Sequence, residues 1–161
     1  MKTADFWKNP PDCLYPPGYD AAREAQLWCA GWILAVFWHV VGYGIRLAGA
    51  VMSLYEYSKA LERYVLLPDA ALPPLWELWR HTWWGFALLV YATLLLAASH
   101  YRYYRQGSRM LYLLRRLPDR TLWHRRALGA PLLGLGVMAL SMLALGLLDG
   151  ALRALLSLYI Q

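Results

Sequence analysis

Few side chains in this chain are equipped for chemistry: His39, His81, His100 and His124, the thiols Cys13 and Cys29, and Asp149 four residues ahead of Arg153. Two histidines on membrane helices can ligate a b-type haem, but both must face one iron across a flat ring and so need similar depth. His39 falls about 12 residues into its apolar run, roughly 18 Å at 1.5 Å per residue, whereas His100 lies at the side from which that depth is counted. Pairing His39 with His81 misses by about 10 Å on the same rise. The spacing therefore predicts no haem, and His39 reads as a packed, hydrogen-bonded side chain. Cys13 and Cys29 supply too few ligands for zinc and are not expected to form a disulfide. No phosphate-binding loop, paired metal-ligand motif or Ser/His/Asp arrangement stands out, so no catalytic residue, metal or cofactor is assigned and the chain is read as a non-enzyme. Asp149 and Arg153, at i and i+4, read as a charge pair anchoring one helix face.

The densest functional signal is YRYYRQGSRMLYLLRRLPDRTLWHRR, residues 101–126. It holds eight of the thirteen arginines against one acid, Asp119. It lies between the apolar runs 83–99 and 127–148, neither of which contains a charged residue. A short arginine-rich loop between spans stays in the cytoplasm, so this segment predicts orientation as well as class. With it inside, the amino terminus is also cytoplasmic, and residues 47–74 and the carboxyl end lie outside. The net charge of +6 is then a topology signal rather than a nucleic-acid one.

The elements that must position these residues follow from composition. Hydrophobic residues make up 60% and charged ones 16% of the 161, against roughly 25% charge in soluble domains. Crossing a bilayer takes about 20 residues of helix, and three runs qualify. The fold expected is all-α, a single membrane domain with spans near 25–48, 76–100 and 128–150 and a cytoplasmic connector over 101–127. The leader, residues 1–20, is broken by proline pairs, and its aromatics, Tyr15 among them, read as headgroup anchors. From residue 21 to about 67 no proline occurs, so the first helix is expected to run on past the bilayer with Leu47, Val51, Leu54, Leu61 and Val65 as an apolar stripe. Trp76, Trp79 and Trp83 would share one helical face as an interfacial belt. The third helix either runs on to Ile160 or bends at Gly150. Small residues four apart, Gly44 with Ala48, Ala130 with Gly134 and Gly146 with Gly150, permit close helix contact, inside the chain or against other membrane subunits.

Within the connector, Gly107 breaks the second span, Ser108 caps a short helix and Pro118 stops it. Met110, Leu113, Leu114 and Leu117 fall on one side of that helix, Tyr112, Arg115 and Arg116 on the other. Such an amphipathic basic helix suits anionic lipid. The string G-S-x-x-x-Y-x-x-R-R-L-P-D-R followed by a basic turn also resembles small bacterial multi-pass proteins found alongside ABC-type ATPases. The resemblance covers about 20 residues, 107–126. It implies an accessory or permease subunit of the bacterial inner membrane that joins a multi-subunit complex. Gly107, Ser108, Tyr112, Arg115, Arg116, Leu117, Pro118, Asp119 and Arg120 would then face a cytoplasmic ATPase. A membrane anchor of a redox complex, or a structural or regulatory membrane protein without a transport role, are the alternatives.

Overall fold

The computed structural model describes residues 14–15, 20–59, 61–67, 71–105 and 122–160. Within these residues six elements follow in order: helix α1 (Ala21–Met52), strands β1 (Tyr55–Ser58) and β2 (Arg63–Leu66), the one-turn helix α2 (Leu75–Leu78), helix α3 (Trp84–Arg105) and helix α4 (Leu122–Ile160). Three of the helices are long and apolar enough to cross a membrane, over Ala21–Met52, Trp84–Tyr103 and His124–Ile160. Their faces are sorted in the sense a bilayer demands. Leu34, Phe37, Leu88 and Leu140 are exposed, while Glu24, His39, Thr82, Thr93, His100 and Asp149 are buried. Polar groups that lipid cannot solvate turn toward protein partners, and the aliphatic side chains that lipid solvates well stay outside.

The all-α expectation needs one correction. Residues 55–66 do not continue α1; they form an antiparallel hairpin in which Tyr55 pairs with Leu66 and Ser58 with Arg63. Tyrosine and valine favour the pleated surface, and Tyr57 packs edge-on against Tyr64 with ring centroids 5.4 Å apart. The apolar stripe ends at Leu54, which is buried and whose carbonyl accepts from the amide of Leu67 at 2.9 Å. Glu62 takes a left-handed φ of 50° to close the turn.

The tryptophan belt is also redrawn. Helix α2 ends at Leu78 and α3 begins at Trp84, with His81 between them at φ 69°. Trp76, Trp79 and Trp83 therefore do not share a helical face. Trp76 and Trp84 are exposed, whereas Trp79 and Trp83 are half-buried. At the carboxyl end α4 continues without a break through Gly150 to Ile160, 39 residues in all.

The chain divides into two compact units, one of Met1–Leu34 with Phe86–Leu140, the other of Ala35–Gly85 with Ser141–Gln161. The first contains the amino-terminal part of α1, nearly all of α3 and the first half of α4. Here Trp28 of α1 ties the helices together. Its indole N–H donates to Thr93 Oγ1 at 3.3 Å, and that hydroxyl donates to the carbonyl of Leu89 at 2.7 Å. The same ring lies on Gly134, where a Cβ would fall 2.9 Å from Trp28 Nε1. The second unit is centred on Tyr43, Leu47 and Leu78, with Leu75, Trp79 and Leu156 packed against them. There α1 and α3 approach closely, a Cβ on Gly85 falling 3.0 Å from the Cα of Ala35.

Candidate functional site: two buried histidine–carboxylate pairs

Among the described residues, each unit contains one histidine with no exposed surface, bonded to one buried carboxylate. In the second unit Asp149 of α4 receives from three sides. Its Oδ2 lies 2.9 Å from His39 Nε2 and accepts the indole N–H of Trp79 at 2.8 Å, while the Tyr43 hydroxyl donates to its backbone carbonyl at 2.8 Å. Trp83 covers the imidazole with a centroid separation of 4.0 Å. Gly146 leaves room for the Trp79 ring, the nearest atom standing 3.6 Å from where a Cβ would be, and Gly150 meets Leu75 at 4.0 Å. The small pair flanking Asp149 thus brings α2 and the following turn close enough for the tryptophan to reach the carboxylate. Arg153 turns elsewhere, donating from Nε to the Pro73 carbonyl at 2.9 Å and from Nη2 to the Leu72 carbonyl at 3.4 Å. The expected Asp149–Arg153 pairing gives way because α1, α2 and the segment before α2 offer each charge a nearer partner.

In the first unit the pair is Glu24 of α1 and His100 of α3, with Nε2 and Oε2 2.8 Å apart. His100 Nδ1 lies 2.9 Å from the carbonyl of Ala127, and the origin of that acceptor is in the sequence. Pro131 stands inside α4 and has no N–H for the carbonyl four residues earlier, which is Ala127. An unsatisfied carbonyl among apolar helices costs several kcal/mol, and the imidazole supplies the missing donor. A carbonyl only accepts, so Nδ1 carries a hydrogen. The contact between Nε2 and Oε2 then holds one more proton, on the ring or on the carboxyl. Either way the pair is neutral overall, which makes an acid tolerable at this depth.

Tyr15 packs edge-on to His100 with centroids 6.1 Å apart and is itself buried. It is a cover for this pair and not the headgroup anchor expected of the leader. From the next residue of α3, the Tyr101 hydroxyl lies 3.0 Å from His124 Nδ1. The end of α3 and the start of α4 are thereby joined by two contacts, 27 and 23 residues apart in sequence.

Of the small-residue positions, Gly134, Gly146 and Gly150 meet other elements, and Ala130 borders a small cavity beside Trp28. Among the described residues Gly44 meets nothing within 4 Å, and Ala48 is exposed. Sequence reasoning missed Gly31 and Ala35, a fourth small pair, which face Leu89 and Gly85. It also missed Glu24. Cys29 is half-buried on α1, and Cys13 lies outside the described residues. So do Gly107, Ser108, Tyr112, Arg115, Arg116, Leu117, Pro118, Asp119 and Arg120.

Chemically, each histidine presents its Nε2 to a carboxylate, the atom that an axial haem ligand commonly offers to iron. Among the described residues no three His, Cys, Asp or Glu side chains gather as a metal site. The arrangement clamps helices by shared protons and hydrogen bonds. No protein-family model, curated protein or solved structure matches this chain.

Proposed function

We propose that this protein is a non-catalytic subunit of a bacterial ABC-type transport complex, lying in the inner membrane with its amino terminus in the cytoplasm. Its connector docks on a cytoplasmic ATPase, and its spans meet other membrane subunits. The observation that supports this reading is the closed base of the connector. His100 to Ala127 and Tyr101 to His124 hold the end of α3 and the start of α4 together. A partner that pushes on such a loop moves α3 and α4 together, which is what a coupling element requires. The resemblance of residues 107–126 to ABC-associated membrane proteins and the arginine content of that stretch support the same reading. Arginine suits docking because its fork bonds carboxylates in pairs.

The test is charge reversal of Arg115 and Arg116 to glutamate, with the protein purified from its native membrane in mild detergent. Loss of a co-purifying ATPase at normal membrane abundance is the expected result. Retention of the ATPase refutes docking, and labelling of a cysteine placed at Ser108 from outside the cell refutes the orientation.

A further inference from the structure

A cavity of about 680 Å³ runs between α1 and α3 in the first unit, within the range of roughly 300–1,000 Å³ typical of ligand sites. Its walls are two helix faces. Asp20, Arg23 and Leu27 follow at three- and four-residue steps on one side, and Leu89, Ala92, Leu95 and Ser99 do so on the other. The lining is graded. Leu27, Leu89, Ala92 and Leu95 make one end apolar, while Asp20, Arg23 and Ser99 gather at the end where α1 begins. Such a groove matches a molecule with a hydrocarbon tail and a polar head, on helices long and apolar enough to lie in a membrane.

The charge at the polar end narrows the occupant. Glu24 also borders it, but its carboxyl is already shared with His100 as a neutral pair. Among the described lining residues that leaves one cation, Arg23, and one carboxylate, Asp20, whose Oδ1 accepts the backbone N–H of Arg23 at 3.1 Å; both side chains are exposed. The guanidinium takes a phosphate in bidentate fashion, and a carboxylate takes a primary ammonium. An anionic headgroup would satisfy the arginine and oppose the aspartate. A trimethylated ammonium has no N–H to donate. We infer that the groove between α1 and α3 is a binding site for a phospholipid with a zwitterionic, primary-amine headgroup, phosphatidylethanolamine, its acyl chain along Leu27, Leu89, Ala92 and Leu95.

The experiment offers the full-length protein, delipidated in detergent, mixed micelles of phosphatidylethanolamine, phosphatidylglycerol and phosphatidylcholine in equal amounts with matched chains. Lipid that elutes with the protein is quantified by mass spectrometry. Phosphatidylethanolamine should be enriched about tenfold over both others, a factor equivalent to about 1.4 kcal/mol. Arg23→Gln and Asp20→Asn should each remove the enrichment; asparagine keeps the helix cap, so the second variant isolates charge from folding. Ala92→Trp, on an exposed wall position, should lower total bound lipid. Enrichment of phosphatidylglycerol, equal retention of all three lipids, or enrichment that survives both charge variants overturns the proposal.

Discussion

His100 donates from Nδ1 to the carbonyl of Ala127 across 2.9 Å, the carbonyl that Pro131 leaves without a helical donor. The two positions are therefore energetically linked although 31 residues separate histidine from proline. Pro131→Ala should restore the helix's own hydrogen bond and make His100 less necessary. In a double-mutant cycle on thermal unfolding in detergent, His100→Ala should cost more with Pro131 present than in the Pro131→Ala background, by about 0.5–1.5 kcal/mol. Additive effects would show that proline and histidine act independently.

Asp149 gathers His39 and Trp79 on one oxygen. Interhelical hydrogen bonds in membranes average about 0.6 kcal/mol and reach about 1.7, so Asp149→Ala should destabilise by about 1–3 kcal/mol, two such bonds. Asp149→Asn keeps an acceptor for the indole and should cost about half as much. Arg153→Ala should not reproduce either effect, since its bonds go to the Pro73 and Leu72 carbonyls. Unfolding midpoints of the three variants, measured by tryptophan fluorescence, check the ranking.

The three long helices and a hydrogen-bonded His39 were legible because apolar runs and a lone imidazole constrain their own surroundings. The identities of the partners were not. Glu24 and His100 are 76 residues apart, His39 and Asp149 are 110, and no local periodicity joins them. The i, i+4 spacing of Asp149 and Arg153 was real but was outweighed by contacts from other elements. The hairpin was missed because two four-residue strands, Tyr55–Ser58 and Arg63–Leu66, are too short to outvote a helical stripe that holds through Leu54. One signal was readable in advance. Pro131 inside an apolar run announces an orphaned carbonyl at Ala127, and a buried donor near that depth had to be sought.

Gly134 and Gly136 make a built-in comparison on one helix. A Cβ at Gly134 meets the Trp28 indole at 2.9–3.2 Å, and one at Gly136 meets nothing within 4 Å. Gly134→Ala should therefore destabilise by about 1–3 kcal/mol through overpacking. Gly136→Ala should stabilise by about 0.5–1 kcal/mol from helix propensity alone. Equal midpoints for the two variants would mean that Trp28 yields without cost and does not fix the approach of α1 to α4.

The Glu24 position separates charge from hydrogen bonding. With Nδ1–H committed to Ala127, a neutral His100 presents a lone pair at Nε2, and that lone pair needs a donor. Glu24→Gln supplies one from its amide without any ionisation, so the fold should survive with a loss under about 1 kcal/mol, the usual worth of one such bond. Glu24→Ala leaves Nε2 facing an apolar gap and should cost about 1–3 kcal/mol, the penalty of a buried polar group with no partner. The readout is the thermal midpoint in detergent, together with solvent exchange of the His100 ring protons by NMR. Glutamine rescuing both would mean the pair serves as a clamp whose proton can belong to either side. If Gln and Ala were equally damaging, the charged form of Glu24 would be the one the helices require.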